Sequence, residues 1–153
     1  MKNCKSIMLV EDDAVDAMTV RRAFKDLNLT NPLTHCVNGE EALKYLKENC
    51  DELPCVILLD LNMPKMNGVE FLSLIKVDNK LKHIPVIVLT TSTEERDIFD
   101  AFKHSVGGYI VKPVEYKNFV EAIRTINMYW TLSELPFNET RVKDAQFETS
   151  FVS

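Results

Sequence analysis

Five short, mainly apolar runs recur along the chain, and they restrict its possible folds more than anything else in it. They are "SIMLV" (6–10), "LTHCV" (33–37), "CVILL" (55–59), "VIVL" (86–89) and "YIV" (109–111). Each is short enough for a strand, and none alternates polar with apolar in the way a half-solvated strand does. Between them lie stretches with apolar residues at helical spacing. Ala14, Ala17, Val20, Phe24 and Leu27 mark a helix over 14–28, and Phe119, Val120, Ile123, Ile126 and Trp130 mark one over about 115–130. Further helices are expected to about residue 48, over about 69–77 and to about residue 104. Capping boxes are expected at Asn38 with Glu41 and at Ser92 with Glu95, and Asp12 or Asp13 can cap the first helix. Strands buried on both faces and alternating with helices imply an α/β fold, a parallel sheet covered by helices on each side.

With 153 residues, the chain has room for one domain with a real core. Residues 1–130 are expected to form it. The polar stretch 131–153, "TLSELPFNETRVKDAQFETSFVS", is too short for a second domain and is expected to be a tail, partly docked or frayed, with no output domain. The net charge of −5, with lysines and arginines dispersed, argues against a nucleic-acid surface. No apolar run approaches a membrane span, and the apolar run in "MKNCKSIMLVEDD" is too short for a signal peptide, so a cytoplasmic protein is expected. Cys4, Cys36, Cys50 and Cys55 form no CxxC pair, and His35, His83 and His104 have no ligand spacing.

Ligand sites in open parallel sheets lie at the carboxyl ends of the strands. The first strand delivers Glu11, Asp12 and Asp13, the third Asp60, the fourth Thr90 and Thr91, and the fifth Lys112 followed by Pro113. Singly, most of these have plainer readings as helix caps, turn residues or a solvated lysine. Together they place three carboxylates, a hydroxyl and an ammonium on one edge. Crowded carboxylates suit a hard divalent cation such as Mg²⁺. A cation, Lys112 and Thr90 would suit a phosphoryl group, with Asp60 as its nucleophilic acceptor.

The segments "MLVEDD", "LLDLNMPKMNG", "VIVLTTS" and "GGYIVKP" resemble, in that order, the receiver domain of bacterial two-component response regulators. The resemblance covers roughly residues 5–130. It implies a flavodoxin-like (βα)5 fold with strand order 2-1-3-4-5. It also implies that Asp60 is phosphorylated from a sensor histidine kinase, with no turnover of an external substrate. Glu11, Asp12, Asp60 and the backbone carbonyl of Asn62 would hold Mg²⁺, and Thr90 and Lys112 would bind phosphoryl oxygens. Thr90 and Tyr109 would be the switch pair, Asn62 and Ser92 would tune the phosphoryl lifetime, and the Lys112–Pro113 peptide would be cis. Glu11 in place of Asp is a common variation in the family.

Output is expected through protein contact at the fourth helix, fifth strand and fifth helix. Ile98, Phe99, Phe102, Tyr109, Met128 and Tyr129 are the candidates there, about half of them expected to be core, and a homodimer is the expected assembly. The details also resemble single-domain regulators that act beside phytochrome-type and other hybrid kinases. Relay onward to a histidine phosphotransfer protein is left open. A haloacid-dehalogenase-type phosphatase would need a second acid where Asn62 stands. A receiver that never uses its phosphate usually lacks one of the residues present here. A nucleotide-binding relative would need a glycine-rich loop that is absent.

Overall fold

The computed structural model describes residues 6–132, with side chains through residue 128. Five strands and five helices alternate: β1 (Ile7–Val10), α1 (Ala14–Asp26), β2 (Leu33–Cys36), α2 (Gly39–Glu48), β3 (Val56–Leu59), α3 (Gly68–Ile75), β4 (Val86–Thr90), α4 (Glu95–Lys103), β5 (Gly108–Val111) and α5 (Tyr116–Leu132). All strand pairings are parallel, in the order β2-β1-β3-β4-β5. The expected doubly wound sheet is therefore the one formed. The helix α5 runs two residues past the expected domain end, and the remainder of the expected tail lies outside the described residues.

Alternate residues of each inner strand feed opposite layers, as the two-residue repeat of a strand requires. Met8, Val10, Ile57, Leu59, Val86 and Val88 pack with Leu46, Phe71, Leu72 and Ile75 of α2 and α3. Ile7, Leu9, Val56, Leu58, Ile87 and Leu89 pack with Val20 and Phe24 of α1 and Phe119, Ile123 and Ile126 of α5. Every residue of β1, β3 and β4 is buried, which is why these runs read as continuously apolar, whereas the edge strands β2 and β5 are mostly half-buried.

The caps partly follow expectation. Asp13 caps α1 through the amides of Val15 and Asp16, and Asn38 caps α2 through the amide of Glu41. The box expected at Ser92 does not form. The helix α4 starts later, with Glu94 at its cap position and no side-chain cap bond, because the Ser92 hydroxyl donates instead to Asp97 Oδ2 at 2.5 Å. A box that the sequence pattern did not single out joins Asn67 and Glu70 at the start of α3.

Candidate functional site

The sheet's hydrogen-bond ladder continues one residue beyond its strands, and this fixes the backbone of the candidate residues. The Glu11 amide donates to the Cys36 carbonyl at 3.0 Å, Asp60 to Val10 at 3.0 Å, and Lys112 to Thr90 at 2.8 Å. Glu11, Asp60 and Thr90 are consequently buried at the end of an apolar sheet, at 2%, 7% and 0% exposure. Asp12, one residue further along, is exposed.

Glu11, Asp12 and Asp60 each place a carboxylate oxygen within 4.8 Å of the others. Burial, reinforced by the charge of Asp60, pushes the Glu11 carboxyl up to about 7, against the opposing pull of Lys112. This crowding is the observation that tests the expected cation. Three converging hard oxygen donors, one of them costly to ionise without a counter-charge, fit Mg²⁺.

Lys112 closes the other side. Its ammonium bonds to Glu11 and, at 2.9 Å, to Asp16 Oδ2. Burial opposes its charge, but these bonds and the charges of Glu11 and Asp60 outweigh that, and its pKa is raised. The cis bond expected at Lys112–Pro113 is not present. No peptide among the described residues is cis. A trans bond is the ordinary preference even before proline, and in it the lysine already reaches Glu11 and Asp16.

Thr90 Oγ1 accepts from the Ser92 amide at 3.3 Å, and the Tyr109 hydroxyl donates to the Ser92 carbonyl at 2.9 Å. Thr90, Ser92 and Tyr109 thus form one chain from the sheet end to β5. The Asn62 amide donates to Asp60 Oδ1 at 3.4 Å, and its side chain is exposed. The loop after Asp60 turns through Lys65 at φ 63° and returns so closely that a Cβ on Gly68 would lie 2.6 Å from the Asp60 carbonyl oxygen. Only glycine fits that approach.

Two residues of the site are not evident from the sequence. Asp16 stands one helical turn past the acidic run, and that spacing was the available signal. His35 has no ligand spacing, yet its Nε2 lies 2.7 Å from the Glu11 carbonyl oxygen and, as donor, braces that residue from β2. On the output face, none of the five described candidates is buried, rather than about half. Phe99, Phe102 and Met128 are exposed at 70%, 53% and 55%, while Ile98 and Tyr109 are intermediate. The side chain of Tyr129 lies outside the described residues. No helix among the described residues is long and apolar enough to cross a membrane.

Residues 7–124 match the family described as response regulator receiver domain. The probable methanogenesis regulatory protein FilR2 of Methanothrix harundinacea is 39% identical over 127 residues, covering 81% of this chain and 82% of that protein. Response regulator Rcp1 of Synechocystis is 35% identical over 130 residues, covering 82% of this chain and 88% of that one. A Mn(2+)-bound form of Rcp1 superposes with a TM-score of 0.77 at 34% identity, over 86% of this chain and 99% of that one. The phosphorylated cyanobacterial phytochrome response regulator RcpA superposes with a TM-score of 0.81 at 36% identity, over 88% and 99% of the two chains.

Proposed function

The chain belongs to the response regulator receiver domain family, a family of phosphoacceptor signalling domains that act with histidine kinases, and on that premise we propose that Asp60 accepts a phosphoryl group from a sensor histidine kinase. The observation that carries this is the convergence of the Glu11, Asp12 and Asp60 carboxylates within 4.8 Å beside the Lys112 ammonium. An Asp60 oxygen attacks the phosphorus of the kinase phosphohistidine. The P–N bond breaks, its electron pair remains on the imidazole, and an acyl phosphate is left on Asp60. Glu11, Asp12, Asp60 and the Asn62 carbonyl would hold Mg²⁺, which when bound neutralises the charge that the carboxylates and the phosphoryl group bring together. Thr90 donates a hydrogen bond from its hydroxyl to a phosphoryl oxygen, and Lys112 supplies a positively charged contact. The chemistry is performed on the chain itself.

A shift of Thr90 toward the phosphoryl group is passed to Ser92 and then to Tyr109 through the bonds that join them. Asn62 and Ser92, at the rim, tune how long the acyl phosphate survives. The output surface is α4-β5-α5, where exposed Phe99, Phe102 and Met128 suit a homodimer favoured by phosphorylation. The matched relatives are covered over 82% and 88% of their length, which supports a regulator of the single-domain type that signals by contact. The phytochrome response regulator RcpA supports a partner kinase of the phytochrome type.

Intact mass after incubation with acetyl phosphate tests the acceptor. One phosphoryl adduct is expected on the native protein with Mg²⁺, and none with chelator or on Asp60→Asn. A native protein that gains no adduct would replace this reading with that of a binding module indifferent to phosphate.

A further inference from the structure

The acid centre does not hold Lys112 alone. Its side chain is 9% exposed, and the ammonium is shared between Glu11, 2% exposed, and Asp16, 39% exposed. Asp16 lies in the first turn of α1, outside the three-carboxylate cluster. With Lys112, Thr19, Arg22 and Thr91 it lines a cleft of about 380 Å³ beside the phosphoryl site. We infer that Asp16 is a positioning residue that draws Lys112 toward α1 in the unmodified protein, so that the lysine must leave Asp16 to reach a phosphoryl group on Asp60. The inference rests on the acceptor role proposed for Asp60.

One ammonium has two positions open to it. Three N–H donors are available on Lys112, and two already serve the carboxylates of Glu11 and Asp16. A new phosphoryl group on Asp60 offers several anionic oxygens and competes for the same charge. Glu11 is part of the cluster and stays beside the lysine in either position. Asp16 belongs only to the resting one, and its partial exposure makes it the weaker hold. A group that stabilises one of two states shifts their balance by that differential interaction and no more. Removing the Asp16 carboxylate therefore favours the phosphoryl-bound position without taking any group from the cluster.

A general loss of negative charge near the site would also help an anion bind, so the test needs a control matched in charge. Asp13→Ser is that control. It removes one carboxylate from the same end of α1 and retains a hydroxyl cap. Beryllium fluoride with Mg²⁺, followed by fluorine NMR, serves as the phosphoryl mimic. For Asp16→Asn the half-saturating concentration is expected to fall about two- to fivefold, the range of one half-exposed ion pair. It is expected to fall less in Asp13→Ser and to return toward the native value in Asp16→Glu. Equal effects of Asp16→Asn and Asp13→Ser, or weaker binding in Asp16→Asn, overturn the inference. A second readout needs neither metal nor phosphate. In the metal-free protein the Lys112 ammonium proton–nitrogen signal is expected to move or broaden in Asp16→Asn, and an unmoved signal overturns the pairing. If the native protein takes no phosphoryl group or mimic while this signal does respond, the acceptor role has failed and not the pairing.

Discussion

At the scale of single residues, Glu11 bears the electrostatic cost of an acid placed at the end of a strand buried on both faces. Its carboxyl is pushed up to about 7 from an ordinary value of 4.5, first by burial and then by Asp60. A folded-state pKa above the unfolded value means that the folded protein binds the extra proton across that window. Without a divalent cation, stability therefore falls as pH rises from about 4.5 to about 7, by at most about 1.4 kcal/mol per pH unit for one proton. Urea midpoints in chelator between pH 5 and 7.5 are expected to show this fall in the native protein and to show less of it in Glu11→Gln. Added Mg²⁺ is expected to offset it, since the ion binds the deprotonated form. A flat native profile in chelator would contradict the account. Glu11, Asp60, Thr90 and Lys112 were legible in the sequence because each directly follows an apolar run. The pairing of Lys112 with Asp16 was not, because 96 positions separate the two residues and only the sheet order brings them together. His35 was hidden for the same reason, since its bond to the Glu11 carbonyl spans 24 positions.

At the scale of elements, the strands were legible nearly to their ends because burial on both faces leaves an unbroken apolar signature. Helix starts were less legible, since several polar residues in a loop can each serve as cap. Ser92 with Glu95 has the pattern of a box, but Asp97 takes the Ser92 hydroxyl and α4 starts uncapped by a side chain. Asn67 with Glu70 has the same pattern and does form one. Asn67→Ala is accordingly expected to cost about 1 kcal/mol of stability, whereas Glu94→Ala, which removes no cap bond, costs a few tenths at most. Urea unfolding of the two variants decides this, and equal losses would contradict it. The trans Lys112–Pro113 bond belongs to the same scale. A motif specifies which residues meet at a turn and not the isomer of the bond that joins them.

At the scale of the whole molecule, the five helices divide unequally. The helices α1 and α5 cover one side of the sheet, and the other three cover the second. Phe99 and Phe102, three residues apart on α4, share a helix surface that the core leaves exposed. Sedimentation with Mg²⁺ and beryllium fluoride is expected to shift the protein toward twice its monomer mass, and Phe99→Glu combined with Phe102→Glu is expected to abolish the shift. A native protein that stays monomeric at high concentration with the mimic bound rules out the dimer. The alternation by which β1 sends Met8 and Val10 to one layer and Ile7 and Leu9 to the other also bears on how such a chain can change over generations. One residue inserted directly after Ile7 would send Met8, Leu9 and Val10 each to the wrong layer and displace the acid together with them. Divergence in this stretch is thus confined to substitution, and growth or shortening of the chain is left to the exposed loops. The strand works as a ruler with a two-residue graduation, and the acid is set at its end mark.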